Sequence, residues 1–132
     1  MKNLKTILFL FTLITTSATA HASNQSCNVA SPAIPGLNET LEAKGYHLTD
    51  QNNATYWMRV ANGPGNQQCE AHIDLMKNKG VIAAGLGTCD NTNKLITISL
   101  GNGWGADFAP KALRRALRSL EEDLPPCPNH NR

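Results

Sequence analysis

Between residues 54 and 100, apolar and polar side chains alternate over four successive stretches of the chain. This two-residue period is typical of β-strands that are buried on one face. The predicted strands cover residues 54–61, 67–77, 81–89 and 94–100. Short segments rich in Asn, Gly and Asp separate them, at 62–66, 78–80 and 90–93. Because short turns connect antiparallel neighbours, we expect a four-stranded antiparallel meander.

A helical spacing of apolar residues replaces this alternation before the meander. Leu37 and Leu41 predict a short helix near residues 36–44, which Gly45 would end. A brief strand is expected next, at 46–48.

The last element is the clearest helix in the sequence. Its apolar stripe consists of Leu113, Ala116, Leu117 and Leu120. Pro110 suits the first turn of this helix, Asp107 is the expected cap, and Pro125 follows its end. Together the elements predict an α+β fold, a small two-layer sandwich in which an N-terminal and a C-terminal helix flank the meander.

The first 20 residues have the three parts of a secretory signal peptide. Lys2 and Lys5 give a positive start, and an apolar stretch follows at 7–14. This stretch is far shorter than the ~20 residues that span a bilayer as a helix. An A-x-A pattern predicts cleavage after Ala20, or after Ala22. We therefore expect a secreted or periplasmic protein without a membrane span.

Cleavage changes the charge of the chain. The full sequence has 12 Lys and Arg against 10 Asp and Glu, and removal of the signal peptide takes away two of the lysines. The neutral remainder gives no support for nucleic-acid binding, which relies on a basic excess. We expect this remainder to divide into an extended arm at 21–35, a single domain at 36–128 and a flexible tail at 129–132.

An even number of cysteines in a small exported chain predicts a disulfide framework. The four are Cys27, Cys69, Cys89 and Cys127. A zinc site is the alternative, but no C-x-x-C pair occurs among them, and we expect no metal and no cofactor.

The turn at 78–80 predicts how the cysteines pair. A three-residue hairpin loop, with Gly80 in the left-handed conformation, would place Cys69 directly opposite Cys89. That position falls on a hydrogen-bonded pair of the ladder, and a bulge at Gly85 or Gly87 would relax it. By elimination the other two cysteines pair with each other and tie the arm to the C-terminal end.

One candidate catalytic or metal site lies on a single predicted strand. Glu70, His72 and Asp74 alternate along it and share one face, and could serve a metal-binding protein or a small secreted hydrolase. Ligands on one strand stand about 7 Å apart, too far to share an ion unaided. A solvated strand face explains them better, and no Ser-His-acid or Cys-His nucleophile is indicated.

Two further motifs favour a structural explanation. The glycine-rich segment 101–105 lacks the remaining features of a phosphate-binding loop, so we interpret it as a connection in which Trp104 is anchored against the fold. The last helix carries Lys111, Arg114, Arg115 and Arg118, which an acidic partner or a solvated face would explain. We favour the solvated face.

The face of the sheet away from the helices is the strongest candidate for function. Its predicted residues are Trp57, Arg59, His72, Met76, Ile82, Leu86 and Leu95, a mixture too apolar for a purely solvated surface. An additional layer, such as the N-terminal arm, is the alternative. The leading hypothesis is an exported binding module of inhibitor, immunity or envelope-accessory type with an unknown protein or envelope partner, and a structural envelope component is a further alternative.

Overall fold

A computed structural model describes residues 27–62, 69–91, 94–101 and 103–128. The strands are β1 Cys27–Ala30, β2 Tyr46–Leu48, β3 Tyr56–Asn62, β4 Glu70–Lys77, β5 Gly80–Thr88, β6 Ile96–Gly101 and β7 Trp104–Phe108. The helices are α1 Leu37–Glu42 and α2 Pro110–Asp123, with a 3-10 turn at Gln51–Asn53. The predicted signal peptide with its cleavage sites, most of the loop at 62–66, and the C-terminal tail lie outside the described residues.

Five strands form one mixed sheet in the order β2-β1-β3-β4-β5. The predicted meander is confirmed for its first three strands, β3 to β5, which are antiparallel neighbours. The prediction of four antiparallel strands is wrong at both ends. The predicted arm contributes β1, which runs parallel to β2 and β3, and the predicted fourth strand, β6, pairs with β7 in a separate hairpin.

The close approach of α2 to β5 depends on two glycines. Gly85 and Gly87 alternate on the buried side of β5, where α2 lies against them. A Cβ atom on either glycine would come well within 3.0 Å of backbone atoms of α2, including the carbonyl oxygens of Ala112 and Ala116. The predicted bulge at Gly85 or Gly87 is wrong, because the ladder shifts between Leu75 and Met76 instead. Their absent side chains let helix and strand backbones touch.

Polar side chains of α2 cover the outer edge of β5. The backbone N–H of Ala84 donates to Asp123 Oδ2 at 2.9 Å, and the N–H of Leu86 donates to Ser119 Oγ at 3.2 Å. One turn earlier, Arg115 Nη1 donates to the carbonyl oxygen of Thr88 at 3.0 Å. Four helical residues rise about 6 Å and two strand residues about 6.7 Å, so the two spacings match. The edge that a further strand would need is therefore occupied, which explains why β6 pairs elsewhere.

Both predicted disulfides are present, Cys27–Cys127 and Cys69–Cys89. Cys89 N–H donates to the Cys69 carbonyl oxygen at 3.0 Å, so the pair is hydrogen-bonded as expected. The turn differs in detail, because Lys77 pairs with Gly80 and Asn78 has the positive φ, 57°. A two-residue turn followed by the bulge produces the same cysteine pairing as the predicted three-residue loop.

The C-terminal end of α2 is held by the segment that leads into β2. Lys44 Nζ donates to the carbonyl oxygens of Glu121 and Leu124, at 2.8 and 2.6 Å. Tyr46 Oη donates to the carbonyl oxygen of Pro125 at 2.7 Å. These bonds satisfy carbonyl groups that a helix end leaves without partners.

The N-terminal end of α2 is simpler than predicted. Pro110 is the first helical residue, as expected, but the cap position is Ala109, which has no capping side chain. Asp107 instead lies in β7, where its carboxylate accepts a hydrogen bond from the Thr97 hydroxyl. The hairpin nevertheless belongs to the same core, because Ile98 and Phe108 are fully buried with the inward residues of the sheet.

Replacing Gly85 or Gly87 with alanine is expected to lower the free energy of unfolding by about 3 kcal/mol each, or to prevent folding. The added methyl group meets rigid backbone on the facing helix, so the helix must move away. Urea unfolding measures the change. Gly80→Ala is the matched control, since its nearest new neighbour is 3.9 Å away. A Gly87→Ala variant as stable as that control would contradict the proposed close contact.

Because its pKa is raised in the folded state, Tyr46 is expected to lower the stability of the protein at high pH. Burial, helped by the neighbouring Tyr56, raises the pKa of Tyr46 from 10.0 to about 12. A raised pKa means that folding favours the protonated phenol, so its contribution is complete below pH ~10 and is lost as the pH rises towards ~12. Urea unfolding of the wild type should show this decline. Tyr46→Phe should lack the part of this decline that comes from ionisation of the Tyr46 phenol. At neutral pH its free energy of unfolding should be about 1 kcal/mol lower than that of the wild type, because the Pro125 carbonyl loses its donor. Equal pH profiles for the two proteins would contradict the assignment.

Candidate functional site

The outer face of the sheet is built from the alternate residues of β3, β4 and β5 that do not enter the core. Tyr56, Met58 and Val60 are buried towards the helices, so the residues between them point to the other side. Across the strands, Trp57 stands beside Met76, Arg59 beside Asp74 and Ala61 beside His72. On the next strand Val81, Ala84 and Leu86 continue these three rows. We define the outer face as Trp57, Arg59, His72, Asp74, Met76, Ala84 and Leu86.

An ion pair lies in the middle row of the outer face. Arg59 Nη2 and Nε donate to Asp74 Oδ2 at 2.7 and 3.1 Å. The Arg59 side chain is exposed, whereas that of Asp74 is largely covered. An exposed pair of this kind contributes about 0–1 kcal/mol to stability. Its main consequence is to fix both charges at defined positions between Trp57 on one row and Leu86 on the other.

Large apolar side chains are exposed on both sides of this ion pair. Trp57 is 41% exposed and Leu86 is 51% exposed, on opposite rows of the face. Val81 and Ile82 extend the apolar surface at the turn end of β5. Of the seven residues predicted for this surface, Met76 is buried, and Leu95 lies just before β6 and belongs to none of the three strands.

The proposed Glu70, His72 and Asp74 set lies on β4, and all three residues are half-buried. Asp74 is engaged by Arg59, which removes its carboxylate from a shared site with its two neighbours. Within the described ranges, no group of three or more His, Cys, Asp and Glu residues could hold a metal ion.

The basic residues of α2 divide into two kinds. Arg115 is half-buried and bonds to the edge of β5, so its role is structural. Lys111 Nζ lies 3.4 Å from Asp90 Oδ2, in an ion pair at the surface. Arg114 and Arg118 are exposed and form no ion pair with the residues that the structure describes.

The glycine-rich segment forms the tip of the β6–β7 hairpin. Gly101 and Gly103 have φ values of 91° and 80°, which glycine adopts freely. Trp104 is 73% exposed, so the expectation that it is anchored against the fold is wrong. Leu100, on the other strand at the tip, is 42% exposed.

A cleft of about 800 Å³ opens beside the first residues of β3, and no pattern in the sequence predicted it. It is lined by Ala30, Ser31, Pro32, Thr49, Asp50, Gln51, Ala54, Tyr56, Trp57, Met58, Ser99, Leu100 and Gly101. These residues come from four separate segments, which only the folded chain brings together. Trp57 belongs both to this cleft and to the outer face.

Comparisons with known proteins found no matching family model, no matching curated protein and no matching solved structure. In the described part of the chain, no helix is long and apolar enough to cross a membrane.

Zinc is expected to leave the thermal midpoint of the protein unchanged. A site in the folded state would raise stability by about 2.7 kcal/mol at a zinc concentration of 100 times its Kd. Differential scanning calorimetry with and without Zn²⁺ measures this. A zinc-dependent rise that disappears in His72→Ala, but persists when the exposed His47 of β2 is replaced in the control His47→Ala, would establish the metal site instead.

Proposed function

We propose that this protein is an exported binding module that contacts a protein partner through its outer face. The observation that supports this most directly is the exposure of Trp57 and Leu86 on either side of the Arg59–Asp74 ion pair. Exposed apolar surface on a soluble domain commonly marks an interaction site, and Trp57 and Leu86 both expose large apolar side chains on this one face. Trp and Arg are also the residues that most often dominate the binding energy of protein interfaces.

The scaffold behind the outer face favours binding by a preformed surface. Antiparallel ladders join β3 to β4 and β4 to β5, and the Cys69–Cys89 disulfide links the chain just before β4 to the chain just after β5. The opposite side of this sheet is packed against α2. A surface that is rigid before binding loses little conformational entropy when the partner arrives, which increases affinity without additional contacts.

The chemistry of the face describes its partner. The fixed charges are one guanidinium and one carboxylate that already neutralise each other, so a strongly charged partner gains little there. A protein surface with an apolar centre and polar edges fits better. An inhibitor, an immunity protein and an envelope-accessory protein all bind in this manner, and both disulfides suit the oxidising compartment to which the signal peptide would direct the chain.

A pair of matched double variants tests this proposal. Trp57→Asp/Leu86→Asp places two charges on the outer face, and Leu100→Asp/Trp104→Asp makes the same two changes at the hairpin tip. All four side chains are at least 41% exposed, so each variant should fold, with far-UV circular dichroism and a thermal midpoint close to those of the wild type. Oxidised residues 21–132 would serve as bait in an envelope extract of the host, and mass spectrometry would identify the retained proteins.

The expected result is a protein that the wild type and the hairpin variant retain and the outer-face variant loses. Purified partner should then bind the outer-face variant at least about 100-fold more weakly, a loss of roughly 2.7 kcal/mol. Equal retention by the two variants would contradict binding at the outer face and direct attention to Arg114 and Arg118 on α2. A concentration-dependent increase in mass without a partner would favour a self-associating structural component.

A further inference from the structure

The cleft of about 800 Å³ lies where the parallel and antiparallel parts of the sheet separate. β1 pairs with β3 only through Val29 with Tyr56 and Ala30 with Trp57, after which the chain leaves the sheet at Ser31. Its departure leaves a gap beside β3, and the hairpin tip lines the gap with residues 99–101. The volume is within the range of sites that bind small molecules, about 300–1,000 Å³.

The lining of the cleft excludes several ligand classes by charge. Among the described residues that line it there is no Lys, Arg or His, and Asp50 is the one carboxylate. Phosphates, nucleotides and other anions are bound most strongly where Lys or Arg side chains are present, and the described lining of the cleft supplies neither. A single exposed carboxylate is also a weak basis for binding a cation in water. The ligand class that remains is neutral.

Polar groups suited to hydroxyl recognition surround the cleft. Among the described residues, the side chains of Thr49, Gln51 and Ser99 find no hydrogen-bonding partner. Asp50 is held in place because its Oδ1 accepts bonds from the backbone and side-chain nitrogens of Asn53, at 3.1 and 2.9 Å. The other carboxylate oxygen remains able to accept. Hydroxyl, amide and carboxylate groups of this kind suit a ligand with many hydroxyl groups, because each hydroxyl both donates and accepts hydrogen bonds.

The same cleft has an apolar side. Trp57 and Leu100 both line it and are 41% and 42% exposed, while Tyr56 and Met58 below them are buried. An indole ring offers a flat, rigid apolar surface of large area. A pyranose ring has the complementary shape, since its C–H groups form apolar faces and its hydroxyl groups project around the edge. We propose that this cleft binds a neutral saccharide, with Trp57 against a sugar face and Thr49, Gln51 and Ser99 bonding its hydroxyls.

This site is independent of the proposed protein contact except at Trp57. Gln51 and Leu100 line the cleft and are not part of the outer face, whereas Leu86 belongs to the outer face alone. A Gln51→Ala/Leu100→Ala variant therefore removes one polar and one apolar contact from the cleft without touching the outer face. Asp50 is not suitable for this test, because its carboxylate also caps the 3-10 turn.

Titration calorimetry with maltotriose, cellotriose and the trimer of N-acetylglucosamine tests the proposal. At least one trisaccharide should bind with a Kd in the millimolar range or tighter, and tryptophan fluorescence should change with it. The Gln51→Ala/Leu100→Ala variant should bind at least about tenfold more weakly, and Leu86→Ala should bind like the wild type. Inorganic phosphate should give no heat of binding.

Failure of all three trisaccharides to bind at tens of millimolar would overturn the saccharide proposal and leave the protein-binding proposal unaffected. Equal binding by the wild type and the Gln51→Ala/Leu100→Ala variant would also overturn it, because the sugar would then occupy another surface. Loss of protein-partner binding in Trp57→Asp/Leu86→Asp with intact partner binding in Gln51→Ala/Leu100→Ala would show that the two surfaces act separately.

Discussion

The contact between α2 and β5 determines the arrangement of the other elements. Because Gly85 and Gly87 have no side chains, the backbone of α2 packs directly against the backbone of β5. At this distance, polar side chains of α2 form hydrogen bonds with the edge of β5. That edge is then closed to a sixth strand, so the hairpin of β6 and β7 packs into the core instead of extending the sheet. With the helix placed on one side, the other side of β3, β4 and β5 is left as the outer face.

At the other end of the sheet, β1 and β2 are held by a disulfide and by hydrogen bonds to the C-terminal segment. β1 and β2 have four and three residues, which is too few for pairing alone to hold them. Cys27 joins β1 to Cys127, 100 residues later, and such a loop contributes about 4.7 kcal/mol in the chain-entropy model. Lys44 and Tyr46 bind the same C-terminal segment from the β2 side. The two shortest strands are therefore fixed by the last residues of the chain.

The sequence predicts what is local and misses what depends on distant partners. Alternation and a tight turn were enough for β3 to β5 and for the disulfide between Cys69 and Cys89, because neighbouring strands share one register. β1 has only four residues, and its pairing with β2 and β3 spans a helix and a turn, so no periodic signal marks it. The close helix–strand contact did have a signal in the sequence. Gly85 and Gly87 occupy alternate positions on the buried side of β5, and they face the small residues Ala112 and Ala116 of the last helix.

Of the two candidate surfaces, the outer face could be predicted from local sequence patterns and the cleft could not. The two surfaces share Trp57. The outer face could be predicted because alternation along single strands assigns its members, whereas the cleft joins four segments and has no pattern in the sequence. Trp57 belongs to both surfaces because it is the last β3 residue paired with β1 and the first residue of the outer face. A saccharide against its indole ring would alter the surface that a protein partner meets. If both proposals hold, the two ligands therefore affect each other's binding through Trp57, and by thermodynamic linkage each changes the other's affinity by the same factor.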